Sequence, residues 1–256
     1  MKTVALIQAR MSSNRLPGKV LMDIAGQPML LRVTERVKKA KSIYCVAVIT
    51  STHESDDAIE LCCGGKNNIP CFRGNLYDVL DRYYQAARYY NADAIVRITA
   101  DCPLLDPGIV ERVVQTFLRN SYDYVSNTLE CTYPDGLDTE ILAFAALDKA
   151  WKEARLRSER EHVTAYIYNH PELFRLGNVR HDKDLSILRW TVDTRSDLEF
   201  VRAVYNNFPN DDFSMEEILR YLAEYPELTA LNAGPQRNEG YQKSLKEDRL
   251  IDQEKD

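Results

Sequence analysis

This chain has little from which to build a zinc site. Of its 256 residues only six are cysteine and four histidine. None of the cysteines (Cys45, Cys62, Cys63, Cys71, Cys102, Cys131) stands in a C-x-x-C pair, so they are expected to pack rather than to bind metal. The ten glycines include no G-x-G-x-x-G, which excludes the dinucleotide-binding fingerprint. Gly18-Lys19 lacks the earlier glycine of a Walker loop and is followed by Val20. Positive charge is not in excess: Lys plus Arg total 33 against 39 Asp plus Glu, a net charge of −6. General binding to nucleic acid or to an anionic membrane surface is therefore not expected. No apolar run approaches the length of a membrane span. The first residues, MKTVALIQAR, turn polar after four apolar positions, too soon for a signal peptide. A reduced, cytoplasmic protein is expected. Internal repeats, low-complexity tracts and Gly/Ser-rich linkers are also missing, which favours one domain over residues 1–232 and a polar tail over 233–256.

What is present is an ordinary globular composition, 45% hydrophobic and 28% charged, long enough to bury a full core. Short β-branched runs alternate with amphipathic stretches, the pattern of a layered α/β fold. Val4–Ile7, Tyr44–Thr50, Ala94–Thr99 and Tyr122–Ser126 read as strands. Helices are expected from Pro28, with Leu31, Val33 and Val37 inward, from Leu76 to Tyr90 behind Asn75 as N-cap, and after Asp106-Pro107. Tyr83, Tyr84, Tyr89 and Tyr90 read as core and interface faces of one helix. From about 130 to 190 the rhythm changes, as for an inserted lobe that binds a second substrate or forms a dimer contact. There Gly136–Phe144 and Leu188–Val192 read as strands, Ala146–Arg155 and Glu159–Asn169 as helices. Ser196 is placed as the cap of a helix to about Tyr205, and Met215–Ala223 as the last clear helix.

The most informative stretch directly follows the first strand, where ligand crevices of parallel sheets form. It carries Arg10, Arg15 and Lys19, with no acidic residue from Met1 to Met22. Three cations in one loop of an acidic chain suit a polyphosphate, which forked guanidinium donors and exposed backbone N–H groups can hold. A solvated basic loop has the same composition. At such an open crevice these side chains should matter for turnover and little for folding. Asp101 and Asp193 each end an apolar strand. Such residues commonly form turns, but two carboxylates at the ends of separate strands can also converge on one crevice and share Mg²⁺ with phosphate oxygens. Asp138 and Glu140 alternate in GLDTE, so both would face one side of a strand, either towards solvent or towards an acceptor substrate. His162, in the charged run SEREH, suits a surface or capping position better than a general base.

The string from Ala9 to Pro28, ARxxSxRLPGKxLxxxxGxP, resembles the N-terminal signature of sugar nucleotidyltransferases, closest to the superfamily of CMP-Kdo and CMP-acylneuraminate synthetases. Five further motifs are similar to the SpsF-type branch, named for spore-coat polysaccharide biosynthesis: Arg73–Tyr84, TADCPL (99–104), GLDTE (136–140), EREHVT (159–164) and RWTVDT (189–194). The tail run RNEGY from Arg237 also fits. The resemblance covers nearly the whole chain. It implies a three-layer Rossmann-like nucleotidyltransferase fold with a mostly parallel mixed sheet and a small inserted lobe. It implies transfer of CMP from CTP to an acidic sugar or related acceptor with release of pyrophosphate, for surface-glycan synthesis, in a homodimer. Ala9, Arg10, Ser12, Arg15 and Lys19 would bind the nucleotide, with Arg73 and Asp78 near it. Arg10, Lys19, Asp101 and Asp193 would be catalytic, with Mg²⁺ on Asp101 and Asp193. Two other readings stand beside it: a GT-A-like nucleotide-sugar glycosyltransferase and a non-catalytic nucleotide-binding protein. The first needs a D-x-D after a strand, and the chain offers only Asp182-Lys-Asp184 in a polar run.

Overall fold

The computed structural model describes residues 1–208, 211–231, 237 and 239–251. Its strands are β1 (Thr3–Gln8), β2 (Asp23–Ile24), β3 (Gln27–Pro28), β4 (Cys45–Ser51), β5 (Cys71–Gly74), β6 (Ala94–Thr99), β7 (Tyr124–Ser126), β8 (Glu140–Ala143) and β9 (Leu176–Asn178). The helices are α1 (Met29–Lys38), α2 (Asp57–Cys63), α3 (Val79–Tyr89), α4 (Pro107–Arg119), α5 (Phe144–Glu153), α6 (Arg157–Glu161), α7 (Ala165–Asn169), α8 (Arg195–Asn207), α9 (Met215–Glu224), α10 (Pro226–Leu231) and α11 (Glu239–Lys246).

Alternation along the strands decides the layering. In β1, Ala5 and Ile7 join one buried cluster with α1, α4, α8 and α9, while Val4 and Leu6 join a second with α3, α5 and α7. In β8, Ile141 and Leu142 divide in the same way. A strand buried on both faces needs apolar residues at nearly every position, and β1 and β4 have them. The result is a seven-stranded sheet between two helical layers, in the order β5-β4-β1-β6-β8-β7-β9 among the described residues. Every neighbouring pair is parallel except those made by β8, which runs antiparallel to β6 and β7. This is the expected Rossmann-like fold with a mostly parallel mixed sheet.

Residues 130–190, expected as an inserted lobe, contribute β8 and β9 to this sheet and the helices α5–α7 that cover one face. The strand expected over Gly136–Phe144 begins only at Glu140. Leu188–Val192 forms no sheet strand. It is extended chain that makes one isolated bridge, Asp135 to Arg189. The helix expected over Glu159–Asn169 is split into α6 and α7, because Val163 between them takes a positive φ of 60°. Helix starts also shift: Asp78 rather than Asn75 caps α3, and Thr194 rather than Ser196 caps α8. The tail expected to be weakly patterned carries α11, although residues 233–236, 238 and 252–256 lie outside the described residues. No helix among the described residues is long and apolar enough to cross a membrane.

Candidate active site

A cleft of about 800 Å³ opens where β1 and β6 end, with Gln8 and Thr99 on its floor. The basic loop after β1 forms one wall and is anchored by a residue the sequence reading missed. Asp56 is 1% exposed. One of its carboxylate oxygens accepts the Met11 N–H at 2.8 Å, and the other accepts the Ser51 hydroxyl at 2.5 Å. Burial opposes its charge, but these bonds outweigh burial and hold the carboxyl below its ordinary pKa. Beyond the anchor, the Gly18 N–H returns to the Met11 carbonyl at 2.9 Å. Gly18 takes a left-handed φ of 71°, which turns the chain sharply enough to aim Lys19 inward.

Lys19 ends between the two acidic residues. Its Nζ donates to Asp101 Oδ2 at 2.8 Å, to Asp193 Oδ1 at 2.9 Å and to the Val192 carbonyl at 2.8 Å. The residue is only 7% exposed, so it is a buried member of the site, not the open crevice side chain expected. Asp101 and Asp193, 92 positions apart in sequence, are joined by the backbone between them in space. The Val192 N–H donates to the Asp101 carbonyl at 2.9 Å, and the Thr191 hydroxyl donates to the same oxygen at 3.1 Å. Burial opposes ionisation of Asp101, and Lys19 overcomes it, holding the carboxyl at about 2. Asp193 is likewise lowered against burial by Lys19 and Arg15, despite the nearby Asp101 charge. Burial disfavours the Lys19 cation, and the two carboxylates keep its pKa above the ordinary value.

Asp193 is held from behind as well. Arg189 donates to Asp193 Oδ2 at 2.8 Å and to the fully buried Asp197 at 2.7 Å. Asp197 in turn accepts the backbone N–H groups of Asp193 and Thr194, both at 2.8 Å. The sequence does carry a signal for this support: Thr194-x-x-Asp197 is a helix-start pattern, and Arg189, Asp193 and Asp197 recur every four residues. Arg15 completes the surroundings, pairing with Asp193 at 2.8 Å and with Glu239 of α11 at 2.6 Å.

Of the expected site residues, the nucleotide candidates Arg10, Arg15 and Lys19 and the metal candidates Asp101 and Asp193 line this one cleft. Ala9 is buried beside it and bonds through its N–H to the Ile49 carbonyl at 3.0 Å. Ser12 is exposed on the loop, and its neighbour Ser13 lines the cleft instead. Arg73 and Asp78 do not line the cleft. Arg73 is paired with Asp57 at 2.6 Å and Glu60 at 2.9 Å. Asp78 caps α3 and pairs with Arg160. Asp138 and Glu140 do not share a strand face, because Asp138 lies in the loop before β8. Asp138 pairs with Arg237 of the tail; burial and the Asp135 charge push its carboxyl up against that pull. Glu140 is buried and satisfied by Arg97, Tyr124 and Thr164 at 2.5, 3.1 and 2.6 Å. His162 caps the end of α6, with Nε2 3.0 Å from the Ser244 hydroxyl. Burial lowers its pKa to about 4. Asp182 and Asp184 of the D-x-D do not line the cleft, and Asp184 accepts the Ser186 N–H at 3.0 Å in an exposed turn. That placement removes the observation a glycosyltransferase reading would need.

The sequence profile described as Cytidylyltransferase matches residues 4–243. The chain belongs to the cytidylyltransferase family. It is 32% identical over 230 residues to the spore coat polysaccharide biosynthesis protein SpsF of Bacillus subtilis, covering 87% of this chain and 94% of that one. A 120-residue stretch, 47% of this chain and 46% of the relative, is 35% identical to a 3-deoxy-manno-octulosonate cytidylyltransferase of Trichlorobacter lovleyi. The solved structure of a cytidylyltransferase from Leptospira borgpetersenii is 34% identical, with a TM-score of 0.87 over 93% of this chain and 100% of that one. This cytidylyltransferase is thus an enzyme of nucleotidyl transfer.

Among its described residues no group of three or more His, Cys, Asp or Glu is placed to hold a metal. The donor set does fit Mg²⁺, which usually takes one or two protein carboxylates and fills its other positions with water and phosphate. The pair Asp101 and Asp193 already gathers a cation, the Lys19 ammonium, between its oxygens.

Proposed function

We infer that this cytidylyltransferase transfers CMP from CTP to a hydroxyl of an acidic sugar, releasing pyrophosphate, and that the reaction depends on Mg²⁺. The observation that carries the reading is the meeting of Lys19, Asp101 and Asp193 at one point of a cleft walled by Arg10 and Arg15. The acceptor hydroxyl attacks the α-phosphorus in line and gives up its proton to water, and the bond to the pyrophosphate oxygen breaks. Arg10 and Arg15 face the β- and γ-phosphates and offset the charge that grows on the leaving group. Lys19 is fixed by three acceptors, so its charge needs no reorganisation as the transition state forms. Asp101 and Asp193 would hold Mg²⁺, which when bound supplies electrostatic stabilisation to the phosphoryl oxygens. Arg189 and Asp197 keep the Asp193 carboxylate oriented from outside. Such positioning and charge stabilisation carry most of phosphoryl-transfer catalysis, which suits a cleft that His162 does not line.

The acceptor class rests on the names of the relatives, a spore-coat polysaccharide protein and an octulosonate cytidylyltransferase. A pyrophosphate-release screen of CTP, UTP, ATP and GTP with Mg²⁺ against acidic and neutral sugars, with thermal shift in parallel, tests both assignments. CTP should give the largest shift and the only turnover. Equal shifts with all four nucleotides would overturn the cytidylyl assignment, and turnover with neutral sugars alone would overturn the acidic acceptor.

A further inference from the structure

The C-terminal helix α11 belongs to the cleft, although no motif for chemistry marks it. One face docks it. Tyr241 accepts from Asn169 at 3.0 Å, Ser244 meets His162, and Asp248 beyond the helix accepts the Ser158 N–H and hydroxyl at 3.0 and 2.7 Å. The backbone continues the attachment, with Arg157 N–H to the Arg249 carbonyl at 3.0 Å and Ile251 N–H to the Arg155 carbonyl at 2.8 Å. Positions 239, 243 and 246 follow helical spacing on the other face, and Glu239, Lys243 and Lys246 line the cleft. Arg157, the first residue of α6, lines it too.

These cations differ in their partners from Arg15 and Lys19 of the basic loop, and resemble Arg10, which also lines the cleft. Arg15 and Lys19 are paired with carboxylates. Arg157, Lys243 and Lys246 have no side-chain hydrogen bond or ion pair among the described residues. Three unpartnered cations from two elements, facing one cleft, suit a bound anion, with the Arg157 fork able to take two oxygens of a carboxylate or phosphate. Glu161 and Glu247 line the same region and would accept hydrogen bonds from hydroxyl groups. An anion that also carries hydroxyls matches that mixture.

We propose that Arg157, Lys243 and Lys246 form a second anion subsite, which takes the carboxylate or phosphate group of the acceptor while the basic loop takes the triphosphate. The word acceptor rests on the cytidylyl-transfer reading; the subsite itself does not. The test is equilibrium dialysis of labelled inorganic phosphate against the full chain, with and without saturating CTP and Mg²⁺. It compares the parent with Arg157→Gln, with Lys243→Gln/Lys246→Gln and with Lys243→Arg/Lys246→Arg. With CTP present, Arg157→Gln should weaken phosphate binding about tenfold, the scale of one charge-assisted contact, and the double Gln variant by at least as much. CTP affinity should stay within about twofold, and the double Arg variant should bind phosphate like the parent. Unchanged phosphate binding in the Gln variants, or no phosphate binding by the CTP-loaded parent, would overturn the subsite. A tenfold loss of CTP affinity would also overturn it, since the cations would then serve the triphosphate. If CTP fails to bind the parent, the cytidylyl reading fails instead, and the dialysis without CTP still decides whether the Gln variants have lost an anion site.

Discussion

At the residue scale the informative side chain is Lys19. Its ammonium is bound to two carboxylates and a carbonyl and is nearly shut off from water, so one group serves both the fold and the cleft. Removing a buried partner leaves the opposing charges uncompensated, which costs more than losing an exposed pair. Lys19→Ala should therefore lower the melting temperature as well as turnover, with pyrophosphate release falling roughly 10²–10³-fold, as for loss of one preorganised donor. Arg15→Ala, whose side chain is 42% exposed, should lose turnover with little change in melting. The same geometry predicts a metal response that needs no activity assay. The two carboxylates freed in Lys19→Ala should bind Mg²⁺ more tightly, so Mg²⁺ should raise the melting temperature of the variant more than that of the parent. Equal Mg²⁺ shifts in thermal denaturation would speak against metal on this carboxylate pair.

At the scale of elements, the site depends on extended chain outside the sheet. Residues 188–192 run past the ends of the strands. The Asp135 N–H donates to the Leu188 carbonyl at 2.9 Å, and the Trp190 N–H donates to the Asp135 carbonyl at 2.5 Å. Gly136 makes this approach possible. Its φ is 104°, and a Cβ there would lie 2.6 Å from both the Thr191 nitrogen and the Trp190 carbonyl carbon. Both obstacles are backbone atoms, so neither can swing aside. Gly136→Ala should destabilise the protein by about 2 kcal/mol or more, from backbone strain and displacement together. Because Val192 and Asp193 follow directly, turnover should fall with it. Urea denaturation with the pyrophosphate assay checks this; a stability change under about 0.5 kcal/mol, no more than an ordinary surface substitution, would refute the close-approach argument.

Across the whole molecule, His162 beneath the tail and Asp101 beside Lys19 each tie stability to pH. His162 lies under α11 with its pKa lowered to about 4 by burial. The unfolded chain then binds a proton that the folded one does not, between about pH 6.5 and 4. The His162 contribution to stability falls through that window as the pH drops, while Asp138, its carboxyl pushed up to about 7 by burial, contributes in the opposite sense. Asp101, at about 2 in the folded state, contributes stability that is complete above about pH 4 and lost as the pH falls towards 2. Relative to the parent, His162→Gln should lose less stability, or gain some, as the pH drops from 6.5 to 4, and should leave the Asp101 slope unchanged. Melting temperatures of parent and variant from pH 7 to pH 2 provide the measurement, and an identical slope in both between pH 6.5 and 4 would exclude His162 as its source.

The sequence by itself determined the layers and the basic loop. Apolar alternation in ALI and AIVRIT sets which residues enter each core, Asp106-Pro107 starts α4, and the acid-free run through Lys19 places three cations in one loop. These are local signals, readable over a few residues because side-chain periodicity and capping act over that range. Tertiary structure decided the partners. Whether Asp101 and Asp193 stood apart as turns or met at one point depended on the Val192 hydrogen bonds between distant segments. Whether Glu140 faced a ligand or Arg97 depended on the register of β6 against β8. Whether the polar tail stayed outside the cleft depended on long-range bonds to α6 and α7. A carboxylate or an ammonium carries the same charge wherever it sits in the sequence, but in the folded chain its pKa, exposure and chemistry follow from the group that the fold brings within 3 Å of it.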